Sequence, residues 1–293
     1  MQRTKKLNLL IFLLPAVLIY TVFQFYPAMS GFYYAFTDWD GFSPDVTFVG
    51  ADNFKAILDD SLFYTAVKNT LIFTVLVMVL QNALALLFAI LLDQKIRGVA
   101  FFRTVYFIPA LISTAVVGFI WSTILNPVIG SWKIFFNAFG LTQIANMDLL
   151  GSPNTALYAI IFVMVWNYMG YSMIIYLAGL QNISKDLYEA AGIDGANRWH
   201  KFRNITFPLI APALTINLML SMIGCLKQFD HVFVLTGGGP GNATQVIGTA
   251  IYTVAFSNNK YGYGIALSMV LFVSIAILSL FQTFVLKKRE VDN

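Results

Sequence analysis

Residues 71–92, LIFTVLVMVLQNALALLFAILL, contain no charged side chain. A run of about 20 apolar residues is long enough to cross a hydrocarbon core of about 30 Å as a helix, and in lipid a single segment satisfies its own backbone polar groups only as a helix. The whole chain of 293 residues is 58% hydrophobic and 11% charged, whereas soluble domains average about 25% charged residues. We therefore predict an all-α integral membrane protein, which excludes an ordinary soluble enzyme.

Five further apolar runs accompany this one, so we predict six transmembrane helices in a single domain over residues 1–293. The predicted spans cover residues of about 9–36, 71–92, 105–125, 156–180, 209–226 and 265–286. The first run begins as a secretory signal does, but it continues beyond signal length without a small-residue cleavage site, so we expect it to be retained. The loops at about 37–68, 126–155 and 227–264 are expected to hold short surface helices, because stretches such as NFKAILDD (53–60) have helical spacing.

The distribution of basic residues predicts the orientation, because cytoplasmic loops carry an excess of lysine and arginine. Six spans place both termini on one side of the membrane. That side would hold most of the 18 basic residues: Arg3, Lys5, Lys6, Lys95, Arg97, Arg103, Lys185, Arg198, Lys201, Arg203, Lys287, Lys288 and Arg289. The loop at 37–68 is instead rich in aspartate. We therefore expect both termini to be cytoplasmic.

A charged segment at residues 184–207 interrupts the apolar chain and faces the cytoplasm in this topology. Ser184 is a candidate N-cap and Asp194-Gly195 predicts a turn, while Trp199 and Phe202 are spaced for one face of a second amphipathic helix. The segment either lies at the membrane interface, held to anionic headgroups by its basic residues, or docks on a partner protein through its small and acidic residues. The residues alone leave both interpretations open.

The sequence EAAGIDGANRWHKFRNITFPL (189–209) closely resembles the EAA signature of ABC importer permeases, which is EAA, three residues, G, nine residues, I, two residues and P. The resemblance implies the six-span, MetI-like architecture of type I importers in a bacterial or archaeal inner membrane. It also implies that helices at 184–207 sit in a cleft of a cytoplasmic ATPase subunit and transmit its closure to the spans. The residues implied in this coupling are Glu189, Ala190, Ala191, Asp194, Gly195, Ala196, Arg198, Phe202 and Pro208.

The resemblance covers nearly the whole chain. FFRTVYFIPALIS (101–113) and FDHVFVLTGGGPGNATQVIGTAIYTVAF (229–256) look like the first of two permeases in carbohydrate-uptake ABC importers, a group that includes the F-type maltose and A-type glycerol-3-phosphate permease subunits. It implies a second homologous permease, two ATPase subunits that bind ATP and Mg²⁺, an extracytoplasmic solute-binding protein and a sugar substrate. The chain itself would hold no cofactor or metal and bind no nucleic acid. Glycerol-3-phosphate or another small polar solute is the alternative cargo.

Polar side chains inside the spans are costly in lipid, so they usually bond across helices or line a wet path. Interhelical bonding is the favoured interpretation for Gln81 and Asn82. Aromatic rings with polar tips suit a sugar, which offers both C–H faces and hydroxyls, and interhelical bonding remains the alternative for such residues too. The candidates for the substrate path are Trp166, Asn167, Tyr168, Tyr171, Asn217 and Gln228.

A glycine-rich loop follows the fifth predicted span. It consists of Gly237, Gly238, Gly239, Pro240 and Gly241. We predict a tight turn on the outer side, near the solute-binding protein or the mouth of the path. A nucleotide-phosphate loop requires a lysine after the glycines, and none follows here.

The sequence contains no nucleophile arrangement and no metal-ligand cluster, so we expect no catalytic residue. The resemblance implies a transport subunit whose ATP is hydrolysed by a separate chain. The rival class is a stand-alone secondary transporter, which would carry intramembrane acids and an internal repeat. The predicted spans are essentially free of aspartate and glutamate, which argues against it.

Overall fold

The structure is a computed structural model that describes residues 12–94 and 97–287. Within these residues the chain is helical, with one isolated β-bridge between Thr37 and Phe48. The helices are α1 (Phe12–Tyr34), α2 (Asp52–Asp59), α3 (Ser61–Leu92), α4 (Val99–Leu111), α5 (Thr114–Ile124), α6 (Ser131–Ala138), α7 (Thr142–Ala145), α8 (Ala156–Gln181), α9 (Lys185–Ile193), α10 (Arg198–Leu209), α11 (Ala211–Leu226), α12 (Asp230–Thr236), α13 (Ile247–Ser257) and α14 (Tyr261–Lys287). The predicted all-α fold is confirmed.

Helices α1, α3, α8 and α14 are each long and apolar enough to cross a membrane. Two bent pairs, α4 with α5 and α10 with α11, bring the total to six if each pair is one span, which agrees with the predicted number. Residues 9–11 of the first predicted span lie outside the described residues. Helix α3 begins at Ser61, so it extends the second predicted span into the predicted loop at 37–68.

The third predicted span is bent rather than straight, because α4 and α5 meet at an angle of 99°. Ile112 and Ser113 have extended backbone angles between the two helices. Pro109 lies in the last turn of α4 and lacks the N–H that would continue the ladder. Hydrophobicity alone does not report such a bend, so the predicted span at about 105–125 carried no sign of it.

The fifth predicted span, at about 209–226, corresponds to α11, which is joined to α10 by a bend. Helices α10 and α11 meet at 65°, with the bend at Ile210. Pro212 occupies the first turn of α11, where the missing N–H would have no intrahelical partner in any case.

The chain divides into two compact units, residues 1–60 with 251–272 and residues 61–250 with 273–293. In the second unit α8 packs along α3 and also contacts α4 and α11. Phe73 and Ile160 belong to one buried apolar cluster, and Met173 and Tyr176 to another. These clusters position the site described below.

In the first unit the loop after α1 packs against the start of α14. The Asn53 amide donates to the carbonyls of Ala35 at 2.9 Å and Thr37 at 2.8 Å. The Gly262 N–H donates to the Trp39 carbonyl at 2.8 Å. The helix predicted for residues 53–60 is confirmed as α2.

Candidate functional site

A layer of side-chain amides and hydroxyls joins α3, α8 and α11. Gln81 Nε2 donates to Ser172 Oγ at 2.8 Å, and Asn82 Nδ2 donates to Ser221 Oγ at 3.1 Å. The Tyr176 hydroxyl donates to Asn82 Oδ1 at 2.7 Å. All five side chains are buried. The predicted interhelical bonding of Gln81 and Asn82 is therefore confirmed.

A cavity of about 470 Å³ lies beside this layer. Its walls come from α3, α4, α8, α11 and the segment that follows α11. The amide of Gln81 and the hydroxyls of Ser172 and Ser221 belong both to the layer and to the cavity wall. The cavity therefore offers hydrogen-bonding groups that lie between transmembrane helices.

Three of the six predicted substrate-path residues line this cavity, namely Tyr168, Tyr171 and Gln228. Trp166 does not line it. The Trp166 ring instead packs edge-on against Trp121, with centroids 5.3 Å apart. The cluster Trp166–Tyr168, which looks continuous in sequence, is thus divided between two environments.

The two remaining candidates, Asn167 and Asn217, are each 1% exposed and do not line the cavity. Asn217 Nδ2 donates to the Ser172 carbonyl at 3.1 Å. Asn167 Nδ2 donates to the Pro109 carbonyl, which lies in the last turn of α4 and also accepts the Ile112 N–H at 3.2 Å. Both amides therefore bond across helices.

Lys227 and Asp230 also line the cavity, although neither was among the predicted path residues. Both side chains are exposed, and no ion pair joins them in the described part of the chain. Their positions on either side of Gln228, at the end of an apolar span, were the only signal in the sequence. Together they give the cavity wall one positive and one negative charge.

His231 lies next to this wall and is 1% exposed. Its Nε2 is 3.1 Å from Asn167 Oδ1 and its Nδ1 is 3.1 Å from Gln228 Nε2. It belongs to α12, which lies outside the six spans, and burial lowers the pKa of His231 to about 4 against a smaller opposing effect of Asp230. The imidazole is therefore neutral at physiological pH.

The segment predicted at 184–207 folds as α9 and the first part of α10. The Ser184 hydroxyl accepts the Asp186 N–H at 3.2 Å, so the predicted N-cap is confirmed. Gly195 has a φ of +77°, which non-glycine residues rarely adopt. The turn predicted at Asp194-Gly195 is confirmed.

Two contacts join the arms of this helical hairpin. Lys201 Nζ donates to the Tyr188 carbonyl at 2.9 Å, and the Tyr188 and Thr206 hydroxyls are 2.9 Å apart. The predicted coupling residues Glu189, Ala190, Asp194, Gly195 and Arg198 are exposed, whereas Ala191, Ala196, Phe202 and Pro208 are partly buried. A hollow of about 440 Å³ lies between the arms, with Ala191, Asp194, Gly195 and Ala196 in its wall.

The glycine-rich loop turns tightly, as predicted. Gly237, Gly238 and Gly241 have φ values of +60°, +91° and +53°. The Thr244 hydroxyl donates to the Gly239 carbonyl at 2.7 Å, and the Asn69 amide donates to the carbonyls of Ala243 and Gln245 at 3.0 and 2.9 Å. These bonds fix the loop against α3.

Comparison with known proteins identifies the family of this fold. Residues 81–291 match the family described as binding-protein-dependent transport system inner membrane component. The probable starch degradation products transport system permease protein AmyD of Thermoanaerobacterium thermosulfurigenes is 38% identical over 96% of this chain and 94% of its own. The multiple sugar-binding transport system permease protein MsmF of Streptococcus mutans is 35% identical over 96% and 95%.

Solved structures agree. One chain in the crystal structure of a bacterial ABC transporter involved in the import of the acidic polysaccharide alginate aligns with a TM-score of 0.86 and 25% identity, over 97% of this chain and 96% of that one. A bacterial alginate ABC transporter in complex with an alginate pentasaccharide-bound periplasmic protein gives a TM-score of 0.84. The protein is a multi-pass permease of an ABC importer. It belongs to the family of inner membrane components of binding-protein-dependent transport systems.

Proposed function

We propose that this permease forms half of the translocation path of an ATP-driven importer for a sugar or oligosaccharide. The observation that carries the proposal is the cavity, in which the rings of Tyr168 and Tyr171 lie with the amides of Gln81 and Gln228. A sugar needs apolar surface for its C–H faces and hydrogen-bonding groups for its hydroxyls. The relatives named for starch degradation products and for multiple sugars support this cargo.

The proposed assembly contains a second homologous permease, two cytoplasmic ATPase subunits that bind ATP and Mg²⁺, and an extracytoplasmic solute-binding protein. The alginate transporter that was solved in complex with a periplasmic protein supports the last of these partners. Both termini and the α9–α10 hairpin lie in the cytoplasm, and the loop at 237–241 lies near the outer mouth. The basic residues of the hairpin support this orientation.

Docking on the ATPase is the favoured role of the α9–α10 hairpin. Glu189 and Arg198 are exposed and offer charged hydrogen-bonding groups, and Ala191 and Ala196 line a hollow that a partner side chain would fill. ATP-driven closure of the ATPases then moves the hairpin and, through α10 and the bend at Ile210, the fifth span. Such coupling requires that the partner bind the two transport states with different affinity.

Glycerol-3-phosphate is the second candidate cargo. Lys227 in the cavity wall supports it, because an ammonium group suits a phosphate. The sn-glycerol-3-phosphate transport system permease protein UgpA of Agrobacterium fabrum is 33% identical over 94% of this chain and 93% of its own. Asp230 in the same wall opposes a doubly charged anion, which favours the sugar.

The test is substrate-stimulated ATPase activity of the complete complex in lipid vesicles, with its solute-binding protein at saturation. The panel contains maltotriose, raffinose, diacetylchitobiose and glycerol-3-phosphate, and vesicles without binding protein are the control. We expect a neutral oligosaccharide to stimulate hydrolysis. Stimulation by glycerol-3-phosphate alone would contradict the sugar assignment.

A further inference from the structure

A chain of hydrogen bonds connects the bend in the third span to the cavity wall. The Pro109 carbonyl accepts from Asn167 Nδ2, Asn167 Oδ1 lies 3.1 Å from His231 Nε2, and His231 Nδ1 lies 3.1 Å from Gln228 Nε2. Asn167 and His231 are each 1% exposed and Gln228 is 7% exposed. Only Gln228 among the three lines the cavity. We call this set of groups the 109–228 relay.

The direction of every bond in the relay follows from its first member. A backbone carbonyl only accepts, so Asn167 must present its NH₂ group to Pro109 and its oxygen to His231. That oxygen accepts a hydrogen bond from Nε2–H, so Nδ1 of the neutral ring is left with a lone pair. Nδ1 then accepts from the NH₂ group of Gln228. The Pro109 carbonyl thus orients the side-chain amide of Gln228 through three successive hydrogen bonds.

The orientation determines what Gln228 offers to the cavity. Its nitrogen is engaged by His231, and no hydrogen bond in the described part of the chain reaches its Oε1. That oxygen is also not among the buried polar atoms that lack a partner. Of the two polar atoms of this side chain, Oε1 is the one without a hydrogen bond, and it acts only as an acceptor.

We propose that His231 is a positioning residue that locks Gln228 with its carbonyl oxygen toward the cavity, so that this wall selects a ligand hydroxyl or amine donor. The inference rests on the proposed function and deepens it. A phosphate or carboxylate oxygen has no proton to donate, and it is disfavoured against an oriented acceptor because both groups would lose their hydrogen bonds to water. His231 itself does not line the cavity.

The first test measures the tautomer of His231 and does not depend on the cargo. Solid-state NMR of the ¹⁵N-histidine-labelled complex in vesicles reports which ring nitrogen carries the proton, and His231→Asn assigns the signal by its loss. We expect a neutral ring protonated at Nε2 at pH 7. A proton at Nδ1, on a neutral or a charged ring, would turn Gln228 around and overturn the proposal.

The second test measures the consequence for selection. Uptake of the most stimulating saccharide of the panel is compared with uptake of its monodeoxyfluoro analogues, in which one hydroxyl at a time becomes a fluorine that cannot donate. Each value is expressed relative to the parent sugar with the same binding protein, so that the affinity of the binding protein cancels between variants. In the wild-type complex we expect the uptake of one analogue to be about tenfold lower than that of the parent sugar, which is the effect of one oriented hydrogen bond.

His231→Leu and Asn167→Leu release Gln228, so the tenfold loss with that analogue should fall to less than about twofold. His231→Asn keeps an oxygen near the position of Nδ1 and should restore part of the discrimination. Thr236→Val is the matched control, since Thr236 bonds to Val232 and Thr244 and not to the relay. Undiminished discrimination in His231→Leu, or its loss in Thr236→Val, would contradict the proposal.

The two proposals fail in different ways. If no saccharide of the panel stimulates the wild-type complex, the proposed function fails, while the tautomer measurement still decides how Gln228 is oriented. If a saccharide is transported and the proton lies on Nδ1, the function stands and the positioning role of His231 falls.

Discussion

The α9–α10 hairpin and the cavity differ in the exposure of the residues to which we assign a function. In the hairpin, the residues of the EAA motif such as Glu189 and Asp194 are exposed. Beside the cavity, Gln81, Ser172 and Ser221 are buried and bonded across helices. The motif residues that we propose contact the ATPase keep a fixed spacing that can be read in one sequence. Residues whose role depends on contacts within the chain are of ordinary types, and their role is visible only once the helices are packed.

The largest effect is expected from charge reversal in the hairpin. Glu189→Lys reverses the charge at an exposed position that we propose docks on the ATPase. We expect loss of ATPase co-purification and a fall in uptake of about 100-fold, because a like-charge contact at an interface costs several kcal/mol. Uptake in vesicles and the subunit ratio after purification measure the two effects.

Asp93→Lys is the matched control for this charge reversal. Asp93 is an exposed acid just after α3, outside the EAA motif, and the same change there should leave assembly and uptake within about twofold, as for an ordinary surface substitution. Normal assembly and uptake in Glu189→Lys would contradict the proposed docking role of the hairpin.

A methyl group at the crossing of α4 and α8 should have the next largest effect, this time on stability. A Cβ atom at Gly170 would overlap the backbone carbonyl of Tyr106, and backbone cannot move aside as a flexible side chain can. Gly170→Ala should destabilise the complex by about 2–3 kcal/mol, the usual cost of overpacking. The midpoint of thermal unfolding of the purified complex measures the loss.

Gly224→Ala provides the comparison, because a Cβ atom there meets nothing within 4 Å. Gly224 lines the cavity, so this methyl should leave the unfolding midpoint unchanged. Equal midpoints for the two variants would mean that the close crossing does not exist in the membrane.

The fold was largely predictable from the sequence because span length is a direct consequence of bilayer thickness. The 99° bend between α4 and α5 was not, since Pro109 is compatible with both a kinked and a broken helix. The bend has a direct consequence for the site. There the Pro109 carbonyl accepts from Asn167 in addition to the Ile112 N–H, and Asn167 lies outside the cavity although its residue type and position suited a substrate path.

Helix packing also decides which of the other predicted path residues line the cavity. Tyr168 and Tyr171, two of the predicted path residues, both line the cavity because adjacent turns of α8 place their rings on its wall. Trp166 is two positions from Tyr168 and so lies on another face of the helix, where it packs against Trp121. Lys227 and Asp230 were missed, because a charge at the end of a span is more often a solvated residue than a wall of a cavity.

Substitutions in the polar layer should reduce stability by smaller amounts, which depend on how many hydrogen bonds each one removes. Asn82 bonds to Ser221, to Tyr176 and to the Met78 carbonyl, so Asn82→Leu removes three bonds and should cost about 2 kcal/mol. Tyr176→Phe removes one of them and should cost about 0.6 kcal/mol. Unfolding midpoints rank the variants, and a larger loss in Tyr176→Phe would show that the layer is held together through α8 rather than α3.

An effect as small as that of Tyr176→Phe is expected within the hairpin. Lys201→Met removes the bond from Nζ to the Tyr188 carbonyl that joins α10 to α9, and this partly exposed bond is worth about 0.5–1 kcal/mol. Amide hydrogen exchange in α9 should become about threefold faster, while uptake should stay within about twofold of wild type, because the docking groups remain in place. If Lys201→Met instead abolished uptake as Glu189→Lys is expected to, the internal bonds of the hairpin would carry the coupling. The hairpin would then resemble the cavity, and its exposed motif residues would not by themselves account for the proposed coupling.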